Sequence, residues 1–289
     1  MALQPISPSP FSQCNTPITR VGLGGEGILR TRGMGAEAQA VIARAVDLGI
    51  GYYDSARVYQ DSEVYYGEFW GKQPRAREGI FHTSKSAQRS REGALAELQQ
   101  SLARLNTDYL DLWQIHDVRD ERDLAVIGGR GGALEAFVEA KAMGLVRYIG
   151  VTGHHDPEIL TRAVADWPVD SVLMPVNPAE KILGGFLTHT LAAARQKGIV
   201  VIGMKVLGGK HYVQPDQGMT AETLIRFALA QDVDLVIVGC RTPAEVETLV
   251  AVGEADTPLS DREMEAVVAA FEPHARQLAF YRGSRFQIP

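Results

Sequence analysis

The stretch Gly51-Tyr-Tyr-Asp-Ser-Ala-Arg-Val-Tyr-Gln-Asp-Ser-Glu63 begins as a short apolar and aromatic segment and then turns abruptly polar. The apolar start predicts a buried strand that ends near Asp54 and leaves Tyr59 in the loop that follows. Residues 81–85 and 110–116 are also apolar runs, and each ends in one ionisable side chain, Lys85 and His116. The pattern predicts neighbouring strands that each deliver a polar residue at the same end.

Short apolar runs alternate with amphipathic helical patterns along the chain. The runs are continuous rather than alternating, as expected for parallel strands that are covered on both faces. About eight strand–helix units follow one another, which predicts a closed (β/α)8 TIM barrel of parallel strands. An open doubly wound sheet is the lesser alternative, because the first strand lacks the Gly-x-Gly-x-x-Gly turn. The predicted strands are 18–25, 52–54, 80–85, 109–116, 148–151, 171–176, 199–204 and 235–238.

The predicted helices follow from apolar residues at helical spacing and from their stop signals. They are 37–48, 63–70, 91–105, 134–143, 157–166, 186–197, 221–231, 243–251 and 261–271. The polar segment 117–132 is predicted to be a loop, and its glycines are compatible with a mobile lid or with an ordinary surface connection.

The composition of the 289-residue chain bounds its class. We expect one barrel domain over 1–289, with a short Pro/Ser-rich leader and a C-terminal helical tail. The net charge of −6 gives no reason to expect nucleic acid or an anionic membrane as a partner. Cys14 and Cys240 form no metal or redox spacing, which is typical of inert packing residues in a reducing compartment. No signal peptide or membrane span is evident, so we expect a cytoplasmic protein.

Four ionisable residues, Asp54, Tyr59, Lys85 and His116, fall at or just after the ends of predicted strands. Each has an ordinary structural explanation when it is taken alone, but four at one rim of a barrel favour a functional site. A tyrosine titrates near pH 10, and an adjacent lysine cation can lower that value by about 1–3 units. Asp54 would keep Lys85 charged, and His116 would orient a substrate oxygen. The set predicts a general acid aimed at a carbonyl oxygen, but a reduction would need a cofactor that supplies hydride.

Several motifs together resemble those of the aldo-keto reductase superfamily: Asp54-Ser-Ala-x-x-Tyr59 with Ser62-Glu63, Thr83-Ser-Lys85, Gln114-Ile-His116 and Gly150-Val-Thr152. The resemblance runs through nearly the whole chain. It implies a (β/α)8 barrel and the reduction of an aldehyde or ketone to an alcohol with NADPH, with NADH as the second choice of cofactor. The family's catalytic tetrad would be Tyr59 as proton donor, Lys85 and Asp54 to tune it, and His116 to orient the carbonyl.

Two late loops are predicted to hold the dinucleotide. The loop 205–210 supplies small residues, backbone amides and two cations, and the loop 239–241 follows the last main strand. Arg241 matches a 2′-phosphate in charge and shape. Glu245 also belongs to a capping box that starts at Thr242, so a structural role is equally open. The resemblance implies cofactor contacts at Thr152, Asn177, Met204, Lys205, Leu207, Gly208, Gly239, Arg241 and Glu245.

The chain departs from the common pattern of this family in three places, which indicates a less typical subgroup. Gly153 and Leu249 replace asparagines, and Met204 replaces the aromatic residue that stacks on the nicotinamide. Thr152 and Asn177 would remain as partners of the carboxamide.

Two other functions stay open at this stage. His154 and His155, with His116 and Asp54, suggest a metal-dependent hydrolase, although the first strand lacks a His-x-His pair and we expect no metal. A non-catalytic subunit that binds NADP(H) is the third alternative. The identity of the carbonyl substrate, the direction of the reaction and the oligomeric state do not follow from the sequence.

Overall fold

The computed structural model describes residues 3, 5–6, 11 and 16–283. Eight parallel strands pair in sequence order and close into a barrel, so the predicted (β/α)8 fold is confirmed. All eight predicted strands are present. Four of them are one or two residues shorter than predicted, the first is five residues shorter, the fifth is three residues longer, and the third and the eighth keep their predicted length. The strands are β1 Val21–Leu23, β2 Tyr52–Tyr53, β3 Phe81–Ser86, β4 Leu110–Ile115, β5 Val146–Thr152, β6 Ser171–Pro175, β7 Val200–Met204 and β8 Leu235–Val238.

The helices cover the outside of the barrel, and the predicted ones are present with small shifts of their ends. A π-helical turn, Phe186–Thr190, replaces the start of the predicted helix 186–197. The helices are α1 Gly35–Asp47, α2 Ser62–Lys72, α3 Pro74–Glu78, α4 Arg91–Leu105, α5 Glu121–Gly128, α6 Ala133–Ala142, α7 Pro157–Asp166, α8 Pro178–Leu183, α9 Leu191–Lys197, α10 Ala221–Leu229, α11 Pro243–Ala255, α12 Asp261–Phe271 and α13 Ala275–Leu278.

Two apolar layers hold the barrel. Alternate strand residues point inward, where Tyr52, Phe81 and Tyr148 pack in one cluster with Leu173. Phe11 closes this cluster, with its ring centroid 4.9 Å from that of Phe81 and 4.7 Å from that of Tyr148. The other strand residues pack against the helices in a larger cluster. Burial on both faces explains why the strands are continuous apolar runs in the sequence.

The segment 117–132 is not the loop that we expected, because it contains helix α5. The Asp120 side chain accepts a hydrogen bond of 2.9 Å from the Asp123 backbone amide, which caps the helix. Arg89 binds the Asp123 carboxylate at 2.9 Å and fixes this helix to the loop after β3. The connection is therefore ordered against the barrel rim by a cap and an ion pair.

The chain after α13 folds back over the barrel end that carries the strand C-termini. The Tyr281 hydroxyl donates to Glu180 Oε1 at 2.8 Å and accepts from Asn177 Nδ2 at 2.8 Å. Arg282 forms a buried ion pair with Glu180. These contacts place Phe280 and Tyr281 at the mouth of the barrel.

Two further expectations concern the termini and the membrane. Most of the predicted leader, including Cys14, lies outside the described residues. Cys240 is buried, and burial raises the pKa of its thiol to about 12, as suits a packing residue. Across the described residues, the helices are too short or too polar to cross a membrane.

Candidate active site

Asp54 and Lys85 form a buried ion pair at the C-terminal ends of β2 and β3. The Lys85 Nζ lies 2.6 Å and 2.7 Å from the two carboxylate oxygens of Asp54. It also donates to the Ser55 carbonyl at 2.7 Å. Thr83 donates to Asp54 Oδ1 at 3.1 Å, so the carboxylate is held from a second side. Both buried charges are therefore paired with each other and hydrogen-bonded to neighbouring residues.

Tyr59 lies directly above this pair, in the loop that follows β2. The Lys85 Nζ is 4.8 Å from the centroid of the Tyr59 ring, and the Arg30 guanidinium carbon is also 4.8 Å from it. The ring of His116 meets that of Tyr59 edge to face, with centroids 5.6 Å apart. Gly25 leaves room for the ring, because a Cβ atom there would lie 2.8 Å from Tyr59 Cδ2. The four predicted residues are therefore brought together.

The protonation of Tyr59 differs from our expectation. Burial raises the pKa of Tyr59 well above its usual 10, and the Asp54 carboxylate raises it further. The predicted lowering by Lys85 is wrong for this structure, because Asp54 neutralises the ammonium group through both oxygens. The ammonium group also lies over the ring face instead of bonding to the hydroxyl. Tyr59 is consequently a neutral phenol that keeps the proton a general acid must donate.

His116 is a neutral imidazole in this setting. Burial holds the pKa of His116 well below its ordinary value, and the Lys85 cation lowers it further. Its Nδ1 atom is buried and makes no hydrogen bond with any described residue. Arg89 fixes the backbone by donating to the His116 carbonyl at 2.7 Å. A neutral ring keeps one N–H, which can bind a carbonyl oxygen without supplying a full charge.

A cavity of about 900 Å³ opens over these side chains. Its volume lies within the range of about 300–1,000 Å³ that is usual for small-molecule and cofactor sites. The lining residues include Tyr59, Lys85, His116, Thr152, Met204 and Lys205.

The residues predicted to contact the nicotinamide divide into two groups. Thr152 and Met204 line the cavity, as does Lys205. Asn177 is fully buried and caps α8, where its Oδ1 accepts from the Glu180 amide at 3.2 Å. Its Nδ2 donates to the Lys205 carbonyl and to the Tyr281 hydroxyl. A contact between Asn177 and the carboxamide would require an exchange of these bonds, and it stays a prediction.

The two predicted dinucleotide loops are linked to each other. Glu245 accepts from Lys210 Nζ at 3.0 Å and from the Arg241 amide at 2.6 Å. Thr242 accepts from the Glu245 amide at 3.3 Å, so the predicted helix cap is confirmed. The Glu245 carboxylate accepts from the Arg241 amide instead of completing the predicted capping box. Within residues 16–283, no carboxylate lies within 4 Å of the Arg241 guanidinium. That side chain is available for an anionic ligand.

The glycines of these loops also have packing reasons to be glycine. At Gly208, φ is +54° and a Cβ atom would lie 2.5 Å from the Tyr212 ring. At Gly239, a Cβ atom would lie 2.7 Å from the backbone of Glu26. Leu207 is half-buried beside them and packs against the core. Close packing therefore accounts for Gly208 and Gly239 whether or not a cofactor binds there.

One group of residues at the rim was not found from the sequence. The metal-hydrolase alternative would have placed His154 and His155 beside Asp54 and His116, but Asp54 is bound by Lys85. The histidines face Asp117 instead, with His154 Nε2 3.2 Å and His155 Nε2 3.7 Å from Asp117 Oδ1. The only signal for Asp117 was its place directly after His116.

Comparisons with known proteins decide the family. The model of the Aldo/keto reductase family matches residues 20–217, more than half of the chain. The chain belongs to the aldo/keto reductase family. This assignment agrees with the resemblance carried by the tetrad motifs.

Relatives of this family member are distant in sequence. It is 29% identical over 210 residues to the aldo-keto reductase yakc [NADP(+)] of Schizosaccharomyces pombe, covering 67% of this chain and 59% of that protein. It is 26% identical over 196 residues to the methylglyoxal reductase DkgB of Salmonella typhimurium, covering 63% and 71%. The chain spans about half the length of several curated relatives that it matches, 52% for one and 42% for another.

Solved structures agree with the barrel over most of its length. The holo form of aldo-keto reductase AKR11C1 from Bacillus halodurans has a TM-score of 0.74 at 20% identity, with 92% of this chain and 95% of that chain covered. An aldo-keto reductase of Klebsiella pneumoniae in complex with NADPH has a TM-score of 0.73 at 18% identity, with 94% and 96% covered. At such identities the likeness establishes the fold.

Proposed function

We propose that this aldo/keto reductase reduces a small aldehyde or ketone to an alcohol, with Tyr59 as the proton donor. The observation that carries the proposal is the neutral phenol of Tyr59, which lies above the Lys85–Asp54 pair and beside His116 in one cavity. Relatives that are named NADP(+)-dependent or methylglyoxal reductases support the same reaction class.

The residues present fit NADP(H) as the cofactor. Lys205 lines the cavity, and Arg241 offers a guanidinium group without a carboxylate partner among residues 16–283. Arg241 would bind the 2′-phosphate, and the loop 205–210 would bind the pyrophosphate. When bound, NADPH would supply the hydride for the carbonyl carbon.

The side chains of the tetrad would complete the reaction. His116 would donate its N–H to the carbonyl oxygen and orient it. The Tyr59 hydroxyl would transfer its proton to that oxygen as negative charge develops there. The phenolate that remains would lie near the Arg30 guanidinium, whose carbon is 4.8 Å from the ring centroid and whose charge favours the ionised form. This fixed positive field would lower the cost of the proton transfer.

Titration of the protein with NADPH and NADH in parallel is the first test, with tryptophan fluorescence as the signal. A panel of carbonyl compounds that begins with methylglyoxal should then cause loss of absorbance of the preferred reduced cofactor. Binding of NADPH without turnover on any carbonyl would favour the non-catalytic alternative. Failure to bind either nucleotide would contradict the proposal.

A further inference from the structure

Asp117, His154 and His155 meet at the rim of the barrel, outside the tetrad. Asp117 follows β4, and the two histidines follow β5. Their closest side-chain oxygen and nitrogen atoms all lie within 4.8 Å of one another. The backbone of Asp117 has φ of +58°, a conformation that non-glycine residues rarely adopt. A hydrogen bond of 2.8 Å from its amide to Thr152 Oγ1 holds it there.

The hydrogen bonds of His154 define which ring nitrogen carries the proton. Its Nδ1 lies 3.2 Å from the Tyr281 carbonyl oxygen, which can only accept. Nδ1 must therefore be the donor, and in a neutral ring Nε2 has a free lone pair. His154 Nε2 lies 3.2 Å from Asp117 Oδ1.

A proton on His154 Nε2 or a metal ion between the two atoms would satisfy both the nitrogen and the carboxylate oxygen. Asp117 is 8% exposed, and its Oδ1 receives no hydrogen bond from any described residue. A buried carboxylate oxygen without a donor is costly. A metal ion would satisfy the oxygen and the imidazole lone pair together.

The distances suit one ion. Bonds of about 2.1 Å to a tetrahedral metal place neighbouring ligand atoms about 3.4 Å apart. The two separations from Asp117 Oδ1, 3.2 Å to His154 Nε2 and 3.7 Å to His155 Nε2, lie on either side of that value, and the ligand atoms of the two histidines lie within 4.8 Å of each other.

The groups behind the three side chains resemble the outer shell of a metal site. Arg119 binds Asp117 Oδ2 with two nitrogen atoms, at 2.7 Å and 2.6 Å, and so orients Oδ1 towards the histidines. The Tyr281 carbonyl fixes the ring of His154 in the same manner. Such partners set the tautomer and direction of metal-binding side chains.

We propose that Asp117, His154 and His155 bind a divalent transition-metal ion such as Zn²⁺. Two imidazoles and one carboxylate are a donor set that this class of ion prefers. Asp117 and His154 line the same cavity as Tyr59, whereas His155 lines a neighbouring cavity of about 1070 Å³. The ion would stand between the two cavities, with its remaining coordination positions open to water or to an oxygen of a ligand.

The test uses the full chain without a histidine tag, freed of metal with EDTA. Calorimetric titration with Zn²⁺ should show one bound ion per chain, and Co²⁺ should give visible absorption bands of a low-symmetry site. His155→Ala should weaken Zn²⁺ binding by more than about 100-fold, because loss of even an outer partner costs about 10–100-fold. His189→Ala is the matched control, since His189 lines the neighbouring cavity but lies outside the three-residue group.

Thermal unfolding shows whether a variant has lost only the metal site or has failed to fold. Zn²⁺ should raise the Tm of the wild-type protein and of His189→Ala, and leave that of His155→Ala unchanged. Asp117→Asn, which keeps the shape of the side chain, should behave like His155→Ala. Absence of Zn²⁺ binding by the wild-type protein, or equal binding by His155→Ala and the wild type, would overturn the proposal.

Discussion

The ammonium group of Lys85 is buried, and the carboxylate of Asp54 stabilises its charge there. The two side chains are 1% and 2% exposed and share two contacts shorter than 2.8 Å. Burial lowers the pKa of Lys85, and the charge of Asp54 opposes that effect. A buried pair of this kind need not stabilise the fold, but removal of one partner leaves the other charge unpaired.

Single and double substitutions at the pair should therefore differ in a defined way. Lys85→Met and Asp54→Asn should each reduce the free energy of unfolding, and Lys85→Met by about 3–5 kcal/mol. The double variant should be less destabilised than the sum of the two, because no buried charge remains unpaired. Urea unfolding of the wild type, the two single variants and the double variant gives the four free energies of unfolding. Strictly additive losses of this free energy would contradict the explanation.

The Tyr59 ring occupies space that is free because Gly25 has no side chain. Its added Cβ atom would lie 2.8 Å from Tyr59 Cδ2 and 2.9 Å from the Asp54 carbonyl oxygen. Gly25→Ala should thus displace the ring and lower kcat by roughly 100-fold, the effect expected of a misplacement of about 1 Å. Gly35→Ala is the control, since its Cβ atom would have 4.0 Å to its nearest neighbour. Equal activity of the two variants would show that Tyr59 tolerates the contact.

The loops after β7 and β8 hold each other in place through side-chain contacts. The Lys210–Glu245 ion pair joins them, and the Glu245 carboxylate also holds the Arg241 backbone. The guanidinium of Arg241 therefore lies on an anchored loop, and no carboxylate among the described residues pairs with it.

Arg241→Ala should therefore weaken the binding of NADPH and leave the binding of NADH unchanged. Loss of one charged hydrogen-bond donor costs about 1.5–3 kcal/mol, which corresponds to roughly 10–150-fold in Kd. Fluorescence titration with both nucleotides measures the ratio, and NADH serves as the internal control. An equal loss of affinity for the two nucleotides would contradict the proposal that Arg241 binds the 2′-phosphate.

The long elements could be predicted from the sequence because their residues repeat at a fixed spacing. Helix 91–105 and strand 235–238 have the predicted bounds for this reason. Helix α5 was missed because it is short and depends on the Asp120 cap and on Arg89, which lies in another loop. The contact of Tyr281 with Asn177 joins residues 104 positions apart, and no local pattern encodes it.

The candidate site was predictable to a similar degree. Asp54, Lys85 and His116 lie at the ends of strands and Tyr59 lies in the loop after β2, so a barrel brings the four residues to one rim. The electrostatics of Tyr59 were not predictable, since they depend on burial and on how completely Asp54 neutralises Lys85. The meeting of Asp117 with His154 depends equally on the path of two loops.

The stability of the whole molecule should depend on pH through His82, which is buried in β3. Trp70 Nε1 donates to its Nδ1 at 3.0 Å, and burial lowers the pKa of His82 well below 6.5. The unfolded chain therefore binds a proton that the folded one excludes, so stability is lost as the pH falls below about 6.5.

Replacement of this histidine should flatten the pH dependence. Between pH 7.5 and 5.5, the free energy of unfolding should fall by about 1.4 kcal/mol less in His82→Gln than in the wild type. Glutamine can still accept the hydrogen bond from Trp70. His274→Gln, at an exposed position, is the control and should keep the wild-type slope. Denaturant unfolding at several pH values in EDTA gives the free energy of unfolding of each protein. The same pH dependence in His82→Gln and in the wild type would contradict the role of His82.

The barrel as a whole brings together the Tyr59 phenol, a cavity of about 900 Å³ and two joined loops, to which the proposed function assigns the proton donor, the carbonyl compound and the dinucleotide. Tyr59→Phe tests that combination most directly, because it removes only the hydroxyl group. We predict a loss of roughly 10²–10⁴-fold in carbonyl-dependent oxidation of NADPH, with the Kd for NADPH unchanged. Turnover at the wild-type rate in Tyr59→Phe would contradict the assignment of the proton donor.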